Sequence, residues 1–161
     1  MSKRTALAAA VTAAAFGMTA CASMQPPASV TDTAARSPQL TTLSRLIGEA
    51  GLADTLRGTG PYTVFAPSDE AFKALPAATL AQLAGDKDML RSVLTFHVLP
   101  GKVSSTDVKS GNAKTVQGAN VALSRSGTFV TVEDAVVQTA DVAASNGVVH
   151  IIDRVLTPPK R

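Results

Sequence analysis

An α+β fold is predicted for this chain from three features of its sequence. Apolar residues at three-and-four spacing crowd the first half, whereas short β-branched runs separated by turn residues fill the second. The third feature is residues 146–159, NGVVHIIDRVLTPP, which read as a turn, a strand and a stop. Asn146-Gly147 is a tight-turn dipeptide in which Gly, and to a lesser degree Asn, tolerates positive φ. Val148, Val149, Ile151 and Ile152, interrupted only by His150, suit a strand buried on both faces. Val155 and Leu156 extend the apolar run until Pro158-Pro159 ends the ladder. Such a strand requires a core, which the preceding hundred or so residues must build.

From the N-terminus, Ser2-Lys3-Arg4 is a basic start and residues 6–18 are an Ala-rich apolar stretch. Its length suits the hydrophobic region of a signal peptide and falls short of the ~20 residues a membrane-spanning helix needs. Residues 1–20 are therefore expected to be an export leader. Residues 21–38 carry few large apolar side chains and three prolines, and are expected to be a disordered linker. A domain over 39–158 and a short tail over 159–161 complete the division.

Within the domain, Leu40, Leu43, Leu46, Ile47 and Ala50 mark an amphipathic helix that Gly51 can end. A further turn or two is expected over 52–57, before Gly58-Thr59-Gly60-Pro61. A strand follows over 62–66. Ser68 then opens a helix, with Asp69 and Glu70 complementing the positive end of its dipole and Phe72 and Leu75 pointing inward. Leu80 with Leu83, then Met89, Leu90, Val93 and Leu94, indicate two more short helices. The other expected strands cover 95–99, 115–117, 121–124, 128–132, 136–142 and 148–153, about seven with the first.

Bulk properties narrow the function classes. About 120 residues of domain are enough to bury roughly two thirds of the unfolded surface without a disulfide or metal. The single cysteine, Cys21, permits no internal disulfide. The formal charge of +3 falls to +1 without Lys3 and Arg4, and one Tyr with no Trp argues against a nucleic-acid surface. No G-x-S-x-G, H-E-x-x-H or C-x-x-C pattern occurs, and Gly58-Thr59-Gly60 lacks the third glycine of a dinucleotide fingerprint. The only histidines, His97 and His150, sit among apolar neighbours with no carboxylate cluster beside them in sequence. The expectation is a non-enzymatic protein with no cofactor and no metal.

Three blocks carry a family resemblance: TVFAPSDEAF (63–72), FHVLPGKV (96–103) and the terminal stretch over 146–159. In order and spacing they resemble the signature blocks of the fasciclin (FAS1) family, over roughly 39–158. The resemblance implies two small sheets packed as a β-sandwich or wedge, flanked by several short helices. It implies that Thr63, Phe65, Ala66, Pro67, Asp69, Phe72, Asn146, Gly147, His150 and Asp153 are signature positions, mainly structural. It also implies candidate partner-contact residues. Asp141-Val142 stands at the distance from the Asn-Gly turn at which animal fasciclin domains carry an Asp-Ile implicated in integrin contacts, whereas the residues alone favour Asp141 as a cap or terminator of its strand. Phe96-His97 stands where the family has Tyr-His, so the phenol hydroxyl is lost; the apolar neighbours of His97 favour a core residue satisfied by a buried hydrogen bond.

The leader has a resemblance of its own. Met18-Thr19-Ala20-Cys21 is similar to the bacterial lipobox, with Met18 in place of the usual Leu, which makes Cys21 a lipidation candidate. The alternative is an Ala20-Cys21-Ala22 site cut by ordinary signal peptidase. Ala22 rather than Asp, by similarity to Gram-negative lipoproteins, implies the outer membrane, and the location expected is the cell envelope, outer membrane or periplasm, rather than free secretion. The function expected is an exported, lipid-anchored adhesion or interaction module of the envelope, its partner a protein or polysaccharide of matrix, envelope or cell surface. The rival expectation is a small-molecule or acyl-ligand binder with a pocket between sheet and helices.

Overall fold

The computed structural model describes residues 28–158. The leader, Cys21 and the tail over 159–161 lie outside the described residues. Seven strands and six helices follow in the order α1 (Val30–Arg36), α2 (Thr41–Glu49), α3 (Ala53–Arg57), β1 (Tyr62–Pro67), α4 (Asp69–Lys73), α5 (Ala77–Gly85), α6 (Lys87–Phe96), β2 (Val98–Pro100), β3 (Gly111–Lys114), β4 (Asn120–Ser126), β5 (Phe129–Val132), β6 (Ala135–Ala144) and β7 (Gly147–Ile152). The strands hydrogen-bond in the order β2-β1-β7-β6-β5-β4-β3. Among the described residues only β1 and β7 pair in parallel, Tyr62 opposite Gly147 through Pro67 opposite Ile152.

These two strands divide the interior. Val64 and Ala66 of β1, with Val149 and Ile151 of β7, face a core closed by Leu40, Leu43, Leu46 and Ile47 around α2 and by Leu90 and Leu94 of α6. The alternate residues, Phe65 and Ile152, face a second core with Leu99, Val121, Leu123, Val130 and Val132. All six residues of β7 are buried, as an apolar run without alternation requires. The ladder between β6 and β7 slips between Val137 and Thr139 and again between Thr139 and Val142. Such bulges bend a strand. The sheet folds over at β6, so that its two halves pack on each other across the second core. The Val116 N–H donates to the Val98 carbonyl at 2.8 Å and ties the far end of the sheet back to β2. The result is a nearly closed sheet with short helices against its first half.

Four local expectations are corrected. The first concerns the linker, since residues 30–36 are helical and belong to the domain. Ser29 caps α1 by accepting the Asp32 N–H, and Val30 and Ala34 are buried in the first core. The second is the strand over 95–99: α6 runs through Phe96 and strand begins only at Val98. Asp86 caps this helix by accepting the N–H groups of Asp88 and Met89, and Leu90, Val93, Leu94 and Phe96 carry one buried face to its end. Third, the strand expected over 115–117 lies at Gly111–Lys114 instead. Thr115 folds back, its N–H and hydroxyl both donating to the Ala119 carbonyl. Fourth, the terminal strand lies within a residue of its expected bounds, but its ladder ends at Ile152 and not at the prolines.

Candidate functional site

The residues singled out from sequence fall into two settings, one inside the domain and one on its surface. The buried setting is built on the sheet centre. Thr63 Oγ1 donates to the Gly101 carbonyl at 2.7 Å and accepts the Val103 N–H at 2.8 Å, holding the loop after β2 over β1. His150 stacks on Phe65 with ring centroids 5.6 Å apart. Its Nδ1 accepts the Asp141 N–H at 3.2 Å, so the ring proton is on Nε2, which donates to the Val103 carbonyl at 2.9 Å. Ala66, Pro67 and Phe72 are buried, and Asp153 accepts the Val136 N–H at 2.7 Å. Ser68 accepts the Ala71 N–H and so caps α4. Asp69 also reaches across to α2, accepting from the Thr41 hydroxyl and the Thr42 N–H. Its partial burial opposes ionisation, but those bonds hold its carboxyl below the usual carboxylate range.

Asn146 is a junction rather than a turn residue alone. Its Oδ1 accepts the Val30 N–H at 2.9 Å, its Nδ2 donates to the Leu56 and Gly58 carbonyls, and its backbone carbonyl accepts the Tyr62 N–H. Gly147 differs from expectation in its cause. Its φ is not positive; instead a Cβ there would overlap the Tyr62 carbonyl where β7 starts against β1. Close backbone approach, not turn geometry, demands the glycine.

Burial removes two of the four contact candidates, and His97 takes the core role that its apolar neighbours indicated. Phe96 and His97 are 1% and 2% exposed and present nothing to a partner. His97 Nδ1 donates to the Val93 carbonyl at 2.7 Å, and its Nε2 accepts the Leu156 N–H at 2.9 Å. Burial pushes its pKa down to about 4, against which the Val93 bond is the smaller influence. Asp141 is exposed, at a positive φ of 58° within β6, but its carboxylate is engaged: Oδ1 accepts the Ser105 N–H at 2.8 Å and Oδ2 the Ser105 hydroxyl. Partial burial works against its charge, while Ser105, with Lys102 nearby, holds the carboxyl below its ordinary value. Val142 is half-buried against the first core. Asp141 thus fastens the loop after β2 to β6, and Ser105, its partner, carried no signal in the sequence.

A different surface is left open. Phe129 is 68% exposed and Val136 38%. Cross-strand pairs place Ser126 opposite Phe129, Ser124 opposite Thr131 and Thr131 opposite Val136. With Ala122 these uncharged side chains share the outer face of β4, β5 and β6, which the Glu133 carboxylate borders by accepting the Ala122 N–H at 2.7 Å. A largely uncharged face with a protruding aromatic ring suits contact with another macromolecule more than with a small solute. Its signal was present in sequence: where Val130 and Val132 point inward, Phe129 has outward parity.

The interior between sheet and helices is filled by the first core. A shallow groove of about 360 Å³, lined mostly by apolar surface, lies outside it, between α5, α6 and Thr157-Pro158. Among the described residues, no three His, Cys, Asp or Glu side chains are grouped to hold a metal ion. Both histidines direct their ring nitrogens at backbone groups, which leaves neither free to act as a base on a solvent-borne substrate.

Residues 38–158 match the family model described as the Fasciclin domain. The chain belongs to the fasciclin domain family. Among curated relatives it is similar to Protein sll1483 of Synechocystis, with 41% identity over 81% of this chain and 73% of that protein. It is 40% identical to Immunogenic protein MPB70 of Mycobacterium bovis, over 78% of this chain and 67% of that protein. Cell surface glycolipoprotein MPB83 of the same species is 39% identical over 81% of this chain, an alignment that spans 60% of the relative's length. The fold of this fasciclin domain matches the solved FAS1 domain pair of the insect cell adhesion molecule Fasciclin I, with a TM-score of 0.64 at 17% identity, covering 81% of this chain and 51% of that one.

Proposed function

We propose that this fasciclin domain is a non-enzymatic interaction module, exported and lipid-anchored through Cys21 at the cell envelope. It adheres to a protein or polysaccharide through the outer face of β4, β5 and β6. The observation that carries this reading is the exposed, largely uncharged face around Phe129 and Val136 in a family whose mycobacterial relative is named a cell surface glycolipoprotein. The relative's name supports the envelope location, and the Ala-rich leader followed by Cys21 supplies a means of reaching it. In this reading the tether is short. Ala28, whose carbonyl accepts the Ser145 N–H, stands seven residues on from Cys21, a reach of at most about 24 Å when fully extended. The domain would then sit close to the lipid surface with its β6–β7 turn towards the anchor.

Adhesion of the host organism is the test. Cells lacking the chain should adhere less to matrix or to one another than cells carrying it, and restoring the Cys21→Ser form should recover adhesion poorly. Intact mass of the protein from host membranes should show acylation at Cys21. Equal adhesion with and without the chain would overturn the interaction role; an unmodified, freely secreted protein would overturn the anchor alone.

A further inference from the structure

We propose that His97 is an acid-sensitive latch for the C-terminal segment, and that acidification releases residues 154–158 and uncovers apolar surface along α5 and α6 before the rest of the domain opens. The bond from the Leu156 N–H to His97 Nε2 is the only hydrogen bond made by the backbone of residues 154–158 among the described residues. The segment has no strand or helix of its own. Beyond that bond it is held by two side chains: Leu156, 4% exposed, which belongs to the core cluster that includes Phe65, Phe96 and Ile152, and Val155, half-buried against the first core. Thr157 and Pro158 form one wall of the groove whose other lining includes Leu83, Met89 and Val93.

The acid sensitivity follows from geometry. The neutral ring uses both nitrogens, Nδ1–H toward the Val93 carbonyl and the Nε2 lone pair toward Leu156. A proton added in acid must go to Nε2, where it confronts the Leu156 N–H with a second donor and places a buried positive charge beside it. Groups on the surrounding elements offer no compensation. On α6, Arg91 donates to the Ala50 carbonyl, and Lys87 and Asp88 lie exposed in its first turn. On β1 the sole titratable side chain is Tyr62; on β7, His150 is stacked on Phe65. Asp153, just before the segment, is bonded to the Val136 N–H, and Arg154 is exposed. Burial accordingly keeps the ring neutral down to about pH 4, below the 6.5 at which a freed histidine titrates. Between those values, freeing the ring is rewarded by proton uptake, and the segment held by one bond opens at less cost than strands laced into the sheet.

The test is hydrogen exchange of the full chain from pH 7 to pH 4, corrected for intrinsic exchange rates. Protection of the Leu156 amide should fall by about tenfold per pH unit below 6.5, while amides of β1 and β7 keep theirs. Fluorescence of an apolar dye should rise over the same range. In His97→Gln, which presents no titrating nitrogen, the pH dependence should vanish. Should that variant not fold, NMR of the unaltered protein serves: the His97 ring and the Leu156 amide should titrate together. Loss of protection simultaneously across β1, β7 and Leu156 would overturn the proposal, as would an unchanged pH response in a folded His97→Gln protein.

Discussion

Asn146 and Gly147 tie α1, α3, β1 and β7 together. The Asn146 side chain joins the start of α1 to the end of α3 through three hydrogen bonds, and replacing it by Ala leaves Val30, Leu56 and Gly58 without their partners. Asn146→Ala should cost about 2–4 kcal/mol in urea unfolding. Gly147→Ala should prevent folding or cost more still, because the added Cβ meets the Tyr62 backbone, whereas Gly85→Ala, with open space around it, should be neutral or stabilising by up to about 1 kcal/mol. The presence of this dipeptide was legible in the sequence; its cause was not, because a contact between β7 and β1 leaves no mark in the local pattern. Asp141 illustrates the same limit. Its Ser105 partner lies 36 positions away, and the choice between partner contact and internal tie depends on that distant loop. Asp141→Ala should lower stability by about 1 kcal/mol. Asp141→Asn, which tolerates positive φ and keeps one acceptor, should lower it less.

The helices show how composition misleads where packing decides. Residues 30–36 are poor in large apolar side chains, but Val30 and Ala34 lie 2% and 1% exposed against the first core. Alanine at a close helix contact is small because the space is small, and composition cannot distinguish that from solvation. Ala34→Asp should therefore destabilise the domain by about 3 kcal/mol or more, measured by thermal and urea unfolding, and removal of residues up to Arg36 should have a comparable effect. The other elements were more legible. The apolar spacing of α2 and the capping residue Ser68 of α4 lie where their patterns pointed, and β7 has the double burial its run demanded. The end of α6 was misread because Phe96, His97, Val98 and Leu99 form an apolar run that suits either a helix or a strand. Helical spacing from Asp86 carries through Phe96, and β2 receives only the remainder.

For the whole molecule, pH dependence follows from His97 and three carboxylates. The histidine is harder to protonate in the folded domain, at about pH 4, than in the unfolded chain, at 6.5. The unfolded chain takes up its proton first, so stability is full above pH 6.5 and falls as the pH drops towards 4, by no more than about 3 kcal/mol. Asp32, Asp69 and Asp141 are each held below 3.8, so their contributions persist above that value and are lost only as the pH falls further. Urea midpoints across pH 8 to 2 should show both declines, the upper one absent in His97→Gln. The proposed binding face lies around Phe129 and Val136 on the outer side of β4, β5 and β6. The most direct measurement compares binding of the full chain, its Phe129→Ser variant and its Asp141→Ala variant to envelope and matrix material of the host, with melting temperatures taken alongside. Phe129→Ser should weaken binding about tenfold or more with melting unchanged, and Asp141→Ala should bind as the parent does despite its lower stability. Full binding by Phe129→Ser together with its loss in a folded Asp141→Ala protein would contradict the assignment of the binding face.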